Sequence, residues 1–110
     1  MGRLYYGSDA QPAELPDRVL AHLKVVATTK LRRGESFTVT WRHLDDADGR
    51  TSIWMQPAIP LRFVFDDPEP ETLDPDYLHA IANAANTSRG IYIDLNDEPE
   101  TMDAAAAAAA

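Results

Sequence analysis

Three runs decide the fold: Ser36-Phe37-Thr38-Val39-Thr40-Trp41, Ser52-Ile53-Trp54-Met55-Gln56 and Leu61-Arg62-Phe63-Val64-Phe65. In the first, Phe37, Val39 and Trp41 alternate with Ser36, Thr38 and Thr40, the period of a half-buried strand. Polar residues 45–49 separate it from the second, with Asp48-Gly49 suited to a tight turn. Pro57 ends the second run, and Pro60 precedes the third, so the chain bends between them or follows a sheet edge. Most of the large side chains lie in residues 33–65, which are expected to form a three-strand meander walling the core.

Working outward, residues 3–6 are short, apolar and aromatic, and read as a first strand ending at Gly7. Residues 8–14 read as a polar loop. Pro16 suits the first turn of a helix, where its missing N–H costs nothing, and Asp17 complements the dipole there. Leu20, Leu23, Ala27 and Leu31 form one stripe, with Val19 and Val26 beside it, so the helix is expected to reach Arg32. Lys30, Arg32 and Arg33 suit its carbonyl end, and Gly34 a left-handed cap.

Residues 66–74 form an acidic, proline-bearing linker ending in a helix start. Asp74 can cap, Pro75 takes the first helical position, and Leu73 and Leu78 are spaced for a hydrophobic staple. Leu78, Ile81, Ala82 and Ala85 give the buried stripe, Gly90 the stop, and residues 91–95 a last strand. The expected order is β-α-β-β-β-α-β. This is an α+β domain, residues 1–97, with a mostly antiparallel sheet and both helices on one face. Residues 98–110, acidic and then seven alanines, have nothing to bury and are expected to be disordered.

Composition narrows the function. The 110 residues suffice for one domain. There is no cysteine, hence no disulfide, thiolate nucleophile or cysteine-ligated metal, in keeping with a cytoplasmic location. No apolar run approaches a membrane span, and residues 1–6 lack the apolar stretch of a secretory signal. The net charge of −8 is uneven: residues 1–65 hold nine basic and seven acidic side chains, residues 66–110 one and eleven. Such a balance opposes nucleic acid at long range.

Chemical motifs are sparse. Asp45, Asp46, Asp48 and Gly49 suggest part of a calcium loop, but the register puts Leu44 at position one and Met55 at position twelve, where neither can serve. His22, His43 and His79 match no metal spacing, and a packed or surface histidine is the expected role of His22. No serine lies in a nucleophile elbow, and the isolated glycines form no phosphate-cradling loop. No catalytic residue, metal or cofactor is expected.

Several stretches carry a resemblance: Met1-Gly2-Arg3-Leu4-Tyr5-Tyr6-Gly7, Asp17-Arg18-Val19-Leu20-Ala21-His22-Leu23-Lys24-Val25-Val26, Lys30-Leu31-Arg32-Arg33-Gly34-Glu35-Ser36-Phe37, Ser52-Ile53-Trp54-Met55-Gln56-Pro57-Ala58-Ile59-Pro60-Leu61 and Ala82-Asn83-Ala84-Ala85-Asn86. Over residues 1–95 the chain resembles a family of short actinobacterial proteins of uncharacterised biochemistry. Its members often bear the label ATP-dependent DNA ligase, which the resemblance would transfer. The residues oppose that activity. Adenylylation needs a lysine in a Lys-x-Asp-Gly context, whereas Lys24 precedes Val25-Val26-Ala27 and Lys30 precedes Leu31-Arg32-Arg33.

The reading that follows is a non-enzymatic cytoplasmic accessory or binding domain, acting by protein–protein contact or self-association. Trp54 alternates out of phase with Ile53 and Met55, so it is the aromatic expected outside, with Gln56, Pro57 and Pro60 completing a partner surface. Trp41 shares the face of Phe37 and Val39 and is expected in the core. The alternative is a nucleic-acid-associated factor linked to DNA ligation or repair. It would use Lys30, Arg32, Arg33, Arg42 and Arg62 as an anion patch, with a tryptophan as stacking platform.

Overall fold

In the computed structural model, which describes residues 1–8, 11–43 and 49–95, two helices pack with six strands in an α+β fold. The strands are β1 (Gly2–Tyr6), β2 (Ala13–Leu15), β3 (Phe37–Arg42), β4 (Arg50–Met55), β5 (Leu61–Val64) and β6 (Ile91–Asp94); the helices are α1 (Asp17–Arg32) and α2 (Pro75–Ala85). The strands form two sheets, β2-β1-β5 and β4-β3-β6, and every pairing is antiparallel except β3 with β6.

The three-strand meander is corrected here. β3 and β4 form the expected hairpin, but β5 leaves it and pairs with β1, Tyr5 opposite Arg62 and Leu4 opposite Phe63. Residues 56–60 make the crossing. Ile59 N–H donates to the Gln56 carbonyl at 3.2 Å, and Gly7 N–H donates to the Pro60 carbonyl at 2.8 Å. Prolines at 57 and 60 supply no N–H for a continued ladder, so the strand cannot run through. β2 is a second correction: part of the stretch read as loop is an edge strand, held between Pro12 and Pro16. The 45–48 part of the turn and the 96–110 tail lie outside the described residues. At its base, His43 N–H donates to the Gly49 carbonyl at 2.8 Å.

Alternation decides which side chains go inside. Phe37 faces Met55, Val39 lies between Ile53 and Ile91, and Trp41 lies between Thr51 and Ile93. From the other sheet come Leu4 and Leu15, and from α1 come Val19, Leu20, Leu23, Val26 and Ala27, all buried in one core. Burying one such side chain contributes roughly 1.5–3 kcal/mol. Gly2 lies at a close approach of β1 to α1. A methyl there would meet Leu20 Cδ2 at 2.6 Å and the Val64 carbonyl oxygen at 2.7 Å.

Both helix ends follow from their residues. Gly34, at φ 73°, closes α1, with its N–H on the Leu31 carbonyl at 3.0 Å and the Glu35 N–H on the Lys30 carbonyl at 3.0 Å. The Asp74 carboxylate caps α2 through Asp76 N–H at 3.0 Å. α2 stops at Ala85, short of Gly90, because Thr87 turns its hydroxyl onto the Ala84 carbonyl at 2.7 Å.

The helices are joined by His22, which is 0% exposed. Its Nδ1 lies 2.7 Å from the Arg18 carbonyl, and its Nε2 lies 2.8 Å from the Asp74 amide nitrogen. The amide can only donate, so Nε2 holds a lone pair and Nδ1 carries the proton. Tyr77 meets the imidazole edge-on, centroids 4.9 Å apart.

Gly90 and Gly34 share φ 73°, but a Cβ on Gly90 would lie 2.2 Å from the Thr38 carbonyl oxygen, while nothing lies within 4 Å at Gly34. Gly34→Ala is expected to cost about 1 kcal/mol, the left-handed penalty alone. Gly90→Ala adds displacement of β6 and is expected to cost at least about 3 kcal/mol, read as the larger loss in urea midpoint. Equal losses would contradict the close approach. Burial pushes the Tyr77 phenol above its ordinary 10.0, with Arg18 opposing. The folded state therefore binds that proton more tightly. Its contribution to stability is full below pH 10 and is lost as pH rises through the folded value. The stability gap between wild type and Tyr77→Phe, read by denaturant titration, is expected to shift against wild type as pH rises above about 10.

Candidate interaction surface

The register of β4-β3-β6 fixes its outer face. Opposite residues share a face, so Trp54 lies beside Thr38, Ser52 and Tyr92 flank Thr40, and Arg50 and Asp94 flank Arg42. The core claims the other parity. Trp54 is 57% exposed and Tyr92 50% exposed. The rings rise from strands two places apart, about 9.5 Å across the sheet.

Between them runs a polar row. Thr40 Oγ1 and Ser52 Oγ are 2.6 Å apart, and Arg42 Nη1 lies 3.1 Å from Asp94 Oδ2. Among the described residues, the register sets Arg42 and Arg50 beside one carboxylate, Asp94, on this side of the sheet. The described part of the face thus carries two arginines and one aspartate, within a chain of net charge −8. The Trp54 backbone is fixed from behind: the Tyr6 hydroxyl donates to its carbonyl, tying the two sheets together. Pro57 and Pro60 are exposed and Gln56 half-buried in the crossing that continues β4.

The five cations of the anion patch are dispersed. Lys30, at the end of α1, is held by Glu35 Oε1 at 3.0 Å and by Asn86 Oδ1. Arg32 and Arg33 are exposed at the same helix end. Arg42 belongs to the outer face just described, and Arg62 to the other sheet, 5.1 Å over the Tyr5 ring. The fold thus groups Lys30, Arg32 and Arg33 and places Arg42 and Arg62 on separate sheets.

Trp41 is half-buried rather than enclosed. It lines an opening of about 670 Å³ between the sheets with Tyr6, His43, Thr51 and Ile53, where His43 Nε2 lies 2.6 Å from Thr51 Oγ1. Tyr92 is a functional candidate that the sequence reading above does not include. The signal was there: Tyr92 alternates with Ile91 and Ile93 just as Trp54 does with Ile53 and Met55.

Among the described residues, no group of three or more His, Cys, Asp or Glu side chains is placed to hold a metal ion. No described helix is long and apolar enough to cross a membrane.

These features define a small α+β domain whose most exposed aromatic rings share one sheet face. The chain belongs to the family described as Domain of unknown function (DUF7882), whose model matches residues 1–96. No curated protein and no solved structure matches the chain.

Proposed function

We propose that the domain is a non-enzymatic cytoplasmic binding module that engages a protein partner through the outer face of β4-β3-β6. The supporting observation is the joint exposure of Trp54 and Tyr92 on that face. Tyrosine and tryptophan dominate binding hot spots because each covers much area with few rotors to freeze. Here both are set on strands, with Gln56, Pro57 and Pro60 extending the surface beyond Trp54. The partial pairing of Arg42 with Asp94 on this face, in a chain of net charge −8, suits a protein partner better than a polyanion.

A nucleic-acid role, the context in which a ligase label would make sense, rests on one observation: Arg42 and Arg50 share the aromatic face. Adenylylation finds no support. Lys24 Nζ stands 6.0 Å over the Phe65 ring, and Lys30 is engaged by Glu35.

The test is capture from native host lysate on wild type, Trp54→Ala and Tyr92→Ala. Sedimentation equilibrium of each alone identifies a second copy as partner. A partner held by wild type is expected to bind roughly 30-fold more weakly to Trp54→Ala, a loss of about 2 kcal/mol. Equal retention by all three would contradict the proposal. So would micromolar binding of single-stranded DNA at roughly 0.1 M salt that falls with salt and is lost in Trp54→Ala, since that behaviour marks phosphate contact with base stacking.

A further inference from the structure

A second surface lies against α1, away from the strand register that builds the first. The segment from Asp66 to Asp74 is tied to α1 at both ends. Asp17 Oδ2 accepts the Asp66 and Asp67 amides, each at 3.1 Å, and the Asp74 amide donates to His22 Nε2 at 2.8 Å. Five residues of helix rise only about 7.5 Å. Seven residues of extended chain reach up to about 25 Å. The segment must therefore bow outward, and Pro68 and Pro70 restrict its backbone. Glu69 N–H on Asp67 Oδ1 at 2.9 Å fixes the start of the bow.

Between the bow and the helix lies an open groove of about 550 Å³. Ala21 and Val25 of α1 face Phe65 and Leu73 across it, and Leu73 is 41% exposed. Asp67, Glu69 and Glu71 line the bow side, and Asp17 and one lysine, Lys24, the helix side. Apolar lining with four carboxylates, three of them on the bow, against one lysine selects a ligand that is apolar on one side and cationic on the other.

We propose that this groove docks a basic amphipathic helix of a partner protein. Its apolar side chains would enter between Val25 and Leu73, and its lysines or arginines would reach Asp67, Glu69 and Glu71. The mode is helix-in-groove recognition with electrostatic steering. A second copy is a poor occupant, because each copy carries a net charge of −8. The site goes beyond the sheet-face reading and stands on different residues.

The probe is a fluorescein-labelled helical peptide of leucine and lysine, with a serine-for-leucine peptide of the same charge as control. Fluorescence anisotropy is expected to show saturable micromolar binding of the leucine peptide, at least tenfold tighter than the control. Glu69→Lys with Glu71→Lys is expected to weaken it at least tenfold. Leu73→Ser, which leaves every charge in place, is expected to weaken it severalfold, with circular dichroism verifying each fold. Trp54→Ala is expected to bind as wild type does, which separates this site from the sheet face. Absence of saturable binding, equal affinity for both peptides, or indifference to the Glu69/Glu71 reversal would overturn the proposal. Loss in Trp54→Ala would move the peptide to the sheet and overturn it too. Self-association of the wild type abolished by the reversal would make the occupant a second copy, with the same consequence.

Discussion

One imidazole, with both nitrogens committed, joins the irregular 66–74 segment and the start of α2 to α1. His22 takes the Asp74 amide on Nε2 and engages the Arg18 carbonyl through Nδ1. A buried polar ring left unpaired would cost about 1–3 kcal/mol per group, so this arrangement tolerates little change on either side. The amide it accepts belongs to the residue whose carboxylate caps α2. Arg18 Nη2 reaches the same carboxylate at 3.4 Å. The start of α2 is thereby fixed to the second turn of α1, and Tyr77 closes over the ring.

The consequences spread in two directions. Toward the C-terminus, α2 packs on α1, buries Ile81 and Ala85 in the core and delivers the chain to Gly90, where β6 meets β3. That parallel pairing completes β4-β3-β6 and brings Tyr92 to the face occupied by Trp54. Toward the N-terminus, the His22 contact ends the bowed acidic segment that forms one wall of the groove. The two surfaces have different electrostatic character. Among the described residues, the sheet face is aromatic with an Arg42–Asp94 pair, and the groove is apolar with a carboxylate wall.

Much of this was legible in the sequence where the determinants are local. The Asp74 cap with Pro75, the Gly34 terminus and the α1 stripe are decided within a few residues, and so were read closely. Trp54 was assigned outside from parity alone, because hairpin register and burial enforce a period of two. The partner of β5 was not legible. Leu61, Phe63 and Phe65 announce a strand, but pairing with β1 is a long-range choice among equally hydrophobic edges. β2 was missed because three residues between two prolines carry too short a pattern. The groove was invisible for a related reason. The linker's prolines and acids read as solvated chain, and nothing local reveals that both its ends are bonded to one helix. His22 read as packed, but not as the joint it is.

The most direct test of this architecture is the bond between His22 and Asp74. In uniformly nitrogen-15-labelled protein at neutral pH, a trans-hydrogen-bond coupling between the Asp74 amide nitrogen and His22 Nε2 is expected, with the ring proton on Nδ1. Asp74 N–H should also exchange slowly despite lying outside regular structure. A proton on Nε2, with no coupling and fast exchange at Asp74, would contradict the account. α2, the bowed segment and the groove wall would then lack their common anchor.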